Sequence, residues 1–165
     1  MSPRPRPWYA LKRWMYASGR PNAVARVLNG LGEWQYRHGI LTLGGRAVTL
    51  EVRGRVSGRP VRFPLVLVRH GGQRYVVSML GTTAGWLRNL EAADGRAVLH
   101  APRPEPVRLV AVPSAQRPPI LKRYLELAPG ARPHLPVDRR APLDAFAGIA
   151  DDFPVLRIEP VPALT

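Results

Sequence analysis

The sequence predicts a mainly β domain of the α+β kind: a small closed or nearly closed β-barrel with helices packed outside it. Three observations lead there. Apolar residues from position 40 onward recur with a period of two, as where Val48, Leu50 and Val52 alternate with Thr49, Glu51 and Arg53, the signature of a strand buried on one face. Successive strand-like runs are joined by glycine or proline turns too short for the crossovers of a parallel sheet. No Gly-x-Gly-x-x-Gly follows a strand, and no Gly-x-x-x-x-Gly-Lys-[Ser/Thr] occurs anywhere, so neither a dinucleotide crevice nor a P-loop organises the chain. With 165 residues, one domain can bury roughly 70% of its unfolded surface.

The elements follow in order. Residues 1–7 are a proline- and arginine-rich run, expected to be a flexible tail, and residues 8–165 are expected to form the single domain. Residues 8–16 carry Trp8, Tyr9, Leu11, Trp14, Met15 and Tyr16 beside Lys12 and Arg13, which reads as a helix packed on its own domain; the same mixture also suits peripheral contact with a bilayer. A break at 18–21 precedes a second helix over 23–36, with Val24, Val27, Leu28 and Leu31 at helical spacing. The strand around Val48 to Val52 leads through the turn at 54–58 to a strand over 61–69. Gly71 and Gly72 turn the chain into a third strand at 75–79, so the three form an antiparallel meander. A short helix is expected over 86–93, then strands at 96–101 and 107–112 flanking a turn at 102–106 that holds the prolines, which cannot donate to a ladder. Ser114 is expected to cap a helix over 115–127. A loop over 129–140, a helix over 143–150 and a strand over 155–159 complete the domain.

Composition narrows the chemistry. The chain has no cysteine, which removes disulfides, thiolate metal sites and cysteine nucleophiles. His38, His70, His100 and His134 are scattered without a partner at ligand spacing, so no metal site is expected. No Gly-x-Ser-x-Gly elbow occurs, and catalysis by side chains alone is poorly supported. The net charge of +14 favours an anionic partner. All but Lys12 and Lys122 of the 25 basic residues are arginines, spread along the chain with no nucleic-acid recognition motif, so nucleic acid is not the expected partner. No signal peptide or spanning segment is evident, and the expected compartment is the cytoplasm.

Two segments carry chemistry. The run from Gly54 through Arg55, Val56, Ser57, Gly58, Arg59, Pro60, Val61 and Arg62 to Phe63, Pro64 and Leu65 combines glycines, a hydroxyl and arginine forks, a set suited to a phosphate or carboxylate. The second is the strand end Ser78, Met79, Leu80, Gly81 followed by a helix whose first turns hold Trp86, Arg88 and Asn89, where a helix N-terminus attracts negative charge. Two anion sites bracketing an apolar strand suggest a long ligand, flat at one end and charged at the other.

At these segments the sequence resembles the deazaflavin-dependent nitroreductase family, oxidoreductases that use coenzyme F420. The matching pieces are Gly54-Arg55-Val56-Ser57-Gly58 with Pro64-Leu65, Tyr75-Val76-Val77-Ser78, and Trp86-Leu87-Arg88-Asn89-Leu90. The resemblance implies a split β-barrel like that of flavin reductases, and hydride transfer from the cofactor to a nitroaromatic, quinone or activated alkene, with no catalytic side chain required. It also implies that Arg55, Ser57, Gly58, Gly81 and Arg88 or Asn89 hold the phosphate side, that Pro64, Val66, Ser78 and Met79 line the ring, and that Trp86 forms a wall. Tyr124 and the loop around His134 are the expected substrate contacts, and a homodimer is the expected assembly.

The chain departs from the family pattern at three positions. Val56 stands where a second basic residue is usual and Leu80 where a lysine is common. Arg62 falls one place late, which turns it to the opposite face unless the turn is bulged. FMN or no cofactor at all is the alternative these departures leave open, with the barrel then binding a lipophilic small molecule or shaping it for a non-redox reaction.

Overall fold

The computed structural model describes residues 46–162; the tail and two helices expected before residue 40 lie outside these residues. The described chain runs β1 (Ala47–Arg53), β2 (Pro60–Val66), β3 (Val68–His70), β4 (Gln73–Val77), α1 (Gly85–Ala92), β5 (Arg96–His100), β6 (Pro104–Ala111), α2 (Pro118–Leu127), α3 (Leu143–Ala147) and β7 (Val155–Pro160). All seven strands join one antiparallel sheet in the order β2-β1-β5-β6-β7-β4-β3.

The two edge strands of that sheet are neighbours in the chain. The run expected as one strand over 61–69 divides at Leu67, so that β2 pairs with β1 while β3 pairs with β4 at the far edge. A sheet whose opposite edges are one residue apart must curl until they meet. Leu67 fixes the crossing point: its side chain is buried in the barrel core and its N–H donates to the Arg46 carbonyl at 2.6 Å. The expected three-strand meander is therefore corrected to two hairpins linked across the barrel seam.

Alternation then sorts side chains to two cores. Val48, Leu50, Val52, Val76, Leu99, Val107, Leu109, Leu156 and Ile158 fill the barrel interior. On the outside of β3, β4 and β7, Val68, Val77 and Val155 meet Ile120, Leu121, Tyr124 and Leu125 of α2 and Phe146 of α3. Helix α1 packs Trp86, Leu87 and Leu90 against the interior cluster, at the barrel end where β1 finishes and β5 begins. Residues of the inward parity meet in an ion pair nearer the opposite end, where Arg74 of β4 grips Glu105 of β6 through two hydrogen bonds of 2.9 and 2.8 Å.

Two further expectations are corrected. Pro104 and Pro106 lie inside β6 and not in a turn. The Pro106 carbonyl accepts from Val161 on the β7 side, so the nitrogens of both prolines face away from β5 and the β5–β6 ladder loses no donor. Ser114 does not cap a helix: it opens a single 3₁₀ turn, and its hydroxyl donates to the Asp151 carboxylate. Helix α2 starts instead at Pro118, whose fixed φ suits a first turn. The last helix is also shorter than expected, ending at Ala147.

Gly95 joins α1 to β5 at φ +76°, and a Cβ there would stand 2.7 Å from the Leu109 carbonyl oxygen. Gly72 has a similar φ of +75° with nothing within 4 Å. Gly72→Ala is expected to cost about 1 kcal/mol from backbone strain alone, and Gly95→Ala at least about 2 kcal/mol because the barrel end must also move. Urea titrations of the two variants check the ranking.

Candidate cofactor-binding site

The two segments singled out in the sequence come together at one end of the barrel. The connection 54–59 leaves β1, and its Arg55 is held from both backbone and side chain by one residue of α1: the Asn89 Oδ1 accepts from Arg55 N–H at 3.3 Å and from Arg55 Nη1 at 2.8 Å. Asn89 thus docks the arginine loop on the helix.

Inside the loop, hydrogen bonds fix the shape. Gly54 N–H donates to Arg59 O at 2.8 Å, Gly58 N–H to Gly54 O at 2.9 Å, and Arg59 N–H to Ser57 Oγ at 3.2 Å. Gly54 is required by packing, since a Cβ there would meet Ser57 Oγ at 2.6 Å. Gly58 adopts φ +69° with open space around it. Because Ser57 Oγ accepts from Arg59, its own hydrogen remains to be donated outward. Among the described residues, the Val56 and Ser57 amides take no part in the loop's internal bonds. This donor set of two amides, one hydroxyl and the Arg55 and Arg59 guanidinium groups fits a phosphate.

The second segment is built by β4 and the turn after it. Ser78 is buried, its N–H donating to Pro154 O at 3.0 Å and its hydroxyl to Gly81 O at 2.7 Å. The hydroxyl therefore shapes the turn. Gly81 has φ +80° and packs against the Asp152 carbonyl. Met79 and Val66 lie half-buried against the helix-side core, Leu80 is half-buried and Pro64 exposed. Trp86 stacks obliquely on Phe63, ring centroids 5.4 Å apart, and Arg88 is exposed beside them on α1. Val56 projects into solvent with 89% of its surface exposed, so it adds no apolar wall to a groove.

Two expected positions fall elsewhere, and His134 lies on the loop where it was expected. The β1–β2 register runs unbroken from Arg53 opposite Pro60 to Ala47 opposite Val66, so no bulge redirects Arg62, whose Nε donates to Glu51 Oε2 at 2.6 Å. Tyr124 is buried in the core beneath α2, where desolvation pushes its phenol well above the ordinary value; it is no part of a surface lid. His134 sits half-buried on the loop after α2, its N–H donating to Ala131 O at 2.9 Å.

Sequence reasoning missed the cluster around Glu51. Its carboxylate accepts from Arg62 and lies 3.1 Å from His100 Nε2. Burial works to raise the Glu51 carboxyl, and the hydrogen bonds from Arg62 and His100 outweigh it, holding the group below the ordinary 4.5. The signal was present in the alternation, which puts residues 51 and 62 on one face once their register is known. Among the described residues no group of carboxylates or histidines could hold a metal.

Residues 33–140 match the model of a protein family described as F420H(2)-dependent quinone reductase. The chain belongs to that family. It is accordingly an oxidoreductase of the F420-dependent class, the class and cofactor that the resemblance implied. Among solved structures, one described as a domain-swapped dimer shares 18% identity over 82% of this chain and 96% of its own, with a TM-score of 0.51, and shows the same split-barrel fold. An F420-H2 dependent reductase matches 69% of this chain and 94% of its own at 18% identity and TM-score 0.47. A protein of unknown function from Agrobacterium tumefaciens matches 70% of the chain at 17% identity and TM-score 0.49. The chain spans about half the length of that protein, 48%. None of the curated proteins matches.

A carboxyl held below its ordinary value stabilises the fold above that value and loses the contribution as pH falls through the lowered one. Glu51→Gln is therefore expected to cost about 1 kcal/mol at neutral pH, with the difference from the parent chain constant above about pH 5 and shrinking as pH drops below 4.5. Urea midpoints measured between pH 3 and pH 7 check this.

Proposed function

We propose that the chain binds reduced F420 with its phosphate on the 54–59 loop and its ring toward Pro64, Val66, Ser78 and Met79, and reduces a small electron-poor acceptor, a quinone before a nitroaromatic or an activated alkene. The observation that carries this is the docking of Arg55 on Asn89, which joins the loop and α1 of a family-matched segment into one rigid anion cradle. When bound, the deazaflavin supplies a hydride from its reduced C5.

The protein's part is to bind and orient. Asn89 presets the Arg55 fork, so less freedom is lost when an anion arrives. Ser57 Oγ–H and the Val56 and Ser57 amides donate to the phosphate, and Gly58 leaves open space for it to approach the backbone. Gly81 and Arg88 border the same end of the barrel. Pro64, Val66, Met79 and Leu80 offer apolar surface that excludes water from a ring lying on them, while Trp86, steadied by Phe63, walls the side near the helix. Arg62 acts indirectly, by fixing Glu51 on the same sheet face. His134 contributes to the substrate side from its loop. This reading keeps the protein cytoplasmic and pairs it as a homodimer, as the related domain-swapped chain is described; among the described residues no helix is long and apolar enough to cross a membrane.

Deazaflavin fluorescence followed during titration of the full chain tests the reading. Saturable binding at micromolar concentration is expected, and no binding at tens of micromolar overturns it. Arg55→Leu is expected to weaken binding about ten- to hundredfold, the size of one lost charge-assisted contact. Asn89→Ala, which leaves the guanidinium but frees it, is expected to weaken binding several-fold.

A further inference from the structure

One turn beside the site carries charge opposite in sign to the phosphate cradle. The 54–59 loop holds Arg55 and Arg59 and no carboxylate, whereas residues 150–154, running Ala150, Asp151, Asp152, Phe153 and Pro154, hold two carboxylates and no cation. In a chain of net charge +14, two adjacent acidic residues at this place ask for a reason.

The turn is fixed against the segment expected to meet the ring. Ala150 and Phe153 are buried in the helix-side core, and Met79 packs against the same cluster. Ser78 N–H donates to Pro154 O at 3.0 Å, and a Cβ on Gly81 would stand 3.2 Å from Asp152 O. Residues 152–154 therefore lie directly against the turn that runs from Ser78 to Gly81, and they are held there by backbone contacts.

The two carboxylates have different work. Asp151 accepts from the Ser114 hydroxyl, which ties the turn to the connection after β6. Asp152 donates its own N–H to Ile149 O at 3.1 Å, but the residue is exposed and among the described residues no donor reaches its carboxylate. Arg117 is a cation that touches this turn, and its fork is spent on the Val112 and Ala150 carbonyls at 2.8 and 2.7 Å. Set against two carboxylates, it leaves one net negative charge. A carboxylate that holds no part of the fold in place acts through its field.

That field falls on whatever lies at Ser78 and Met79. An anion about 8 Å from one carboxylate at a partly exposed site loses about fivefold in affinity, and an uncharged molecule loses nothing. The cofactor's own phosphate is placed on the arginine loop, so the discrimination falls on the second molecule, the one to be reduced. We propose that Asp152 is a specificity-determining residue for that acceptor: it admits uncharged or cationic rings and turns away those that carry a carboxylate or sulfonate. The assignment rests on the function proposed above and names the charge class of its substrate.

The test compares two acceptors built on one naphthoquinone ring and matched in reduction potential, one uncharged and one with a sulfonate on a side chain. Each is followed in steady-state turnover by the full chain with reduced cofactor, and separately by quenching of tryptophan fluorescence without cofactor. The parent chain is expected to favour the uncharged acceptor about fivefold in kcat/KM, through KM, with the same order of affinities in the quenching; the ratio should shrink toward one as salt rises. Asp152→Asn is expected to bring the ratio near one by improving the sulfonated acceptor alone, and Asp152→Lys to invert it. Asp94→Asn, which removes an equal charge at the corner between α1 and β5, is expected to keep the parent ratio. Equal kcat/KM for the two acceptors in the parent chain overturns the assignment, as does a preference that survives in both Asp152 variants. A shift in Asp94→Asn as large as that in Asp152→Asn overturns it as well, because net charge alone would then explain the ratio. The melting temperature of Asp152→Asn is expected to match the parent chain; a fall of several degrees would make the carboxylate structural and overturn the assignment. If neither acceptor is reduced, the proposed function fails and the specificity fails with it, whereas reduction of both at equal kcat/KM removes the specificity alone.

Discussion

The geometry of this molecule depends on a single crossing. One stretch of chain, Pro60 to His70, supplies both edges of a seven-stranded sheet and changes partners at Leu67. Because the chain is continuous there, the edges cannot separate by more than a residue's length, and the sheet is forced into a curl. Burial of Leu67 and its bond to Arg46 hold the crossing in register. A slip of one residue would exchange the inward row of Phe63 and Leu65 for Arg62 and Pro64, which an apolar interior cannot accept.

That curl brings the site together. Residues 54–59 and 78–89 are separated by three strands in the chain, yet β1 finishes and β4 finishes at the same rim, and α1 closes it. Rigidity is built on the backbone more than on ion pairs: Ser78 spends its hydroxyl on Gly81, Ser57 accepts from Arg59, and Asn89 anchors Arg55. A set of donors fixed in this way is suited to an anion that must be held at one distance from a reactive ring.

Much of the frame was legible in the sequence because a period of two at Val48, Leu50 and Val52 has one physical cause, burial of a single face. The helix around Trp86, the strand at 96–101 and the terminal strand were legible for similar reasons. The loop of the site was legible from its glycines and arginines. The division at Leu67 was not, since alternation continues through it and strand partnership is a long-range property. The placing of Pro104 and Pro106 within β6 depends on where β7 stops, which no local pattern records. The Ser114 hydroxyl had two partners available, the helix start and Asp151, and proximity in the fold decided for Asp151. Tyr124 read as a polar tip for a lid, while its helical spacing with Ile120 and Leu121 was the stronger signal and put it in the core.

The two prolines of β6 have an effect beyond their own ladder. Their nitrogens face the β7 side, where Val161 just past β7 still donates to the Pro106 carbonyl, so neither position has an N–H to offer a further strand on that side. Sheet growth between molecules needs such donors, and at positions 104 and 106 two hydrogens are missing.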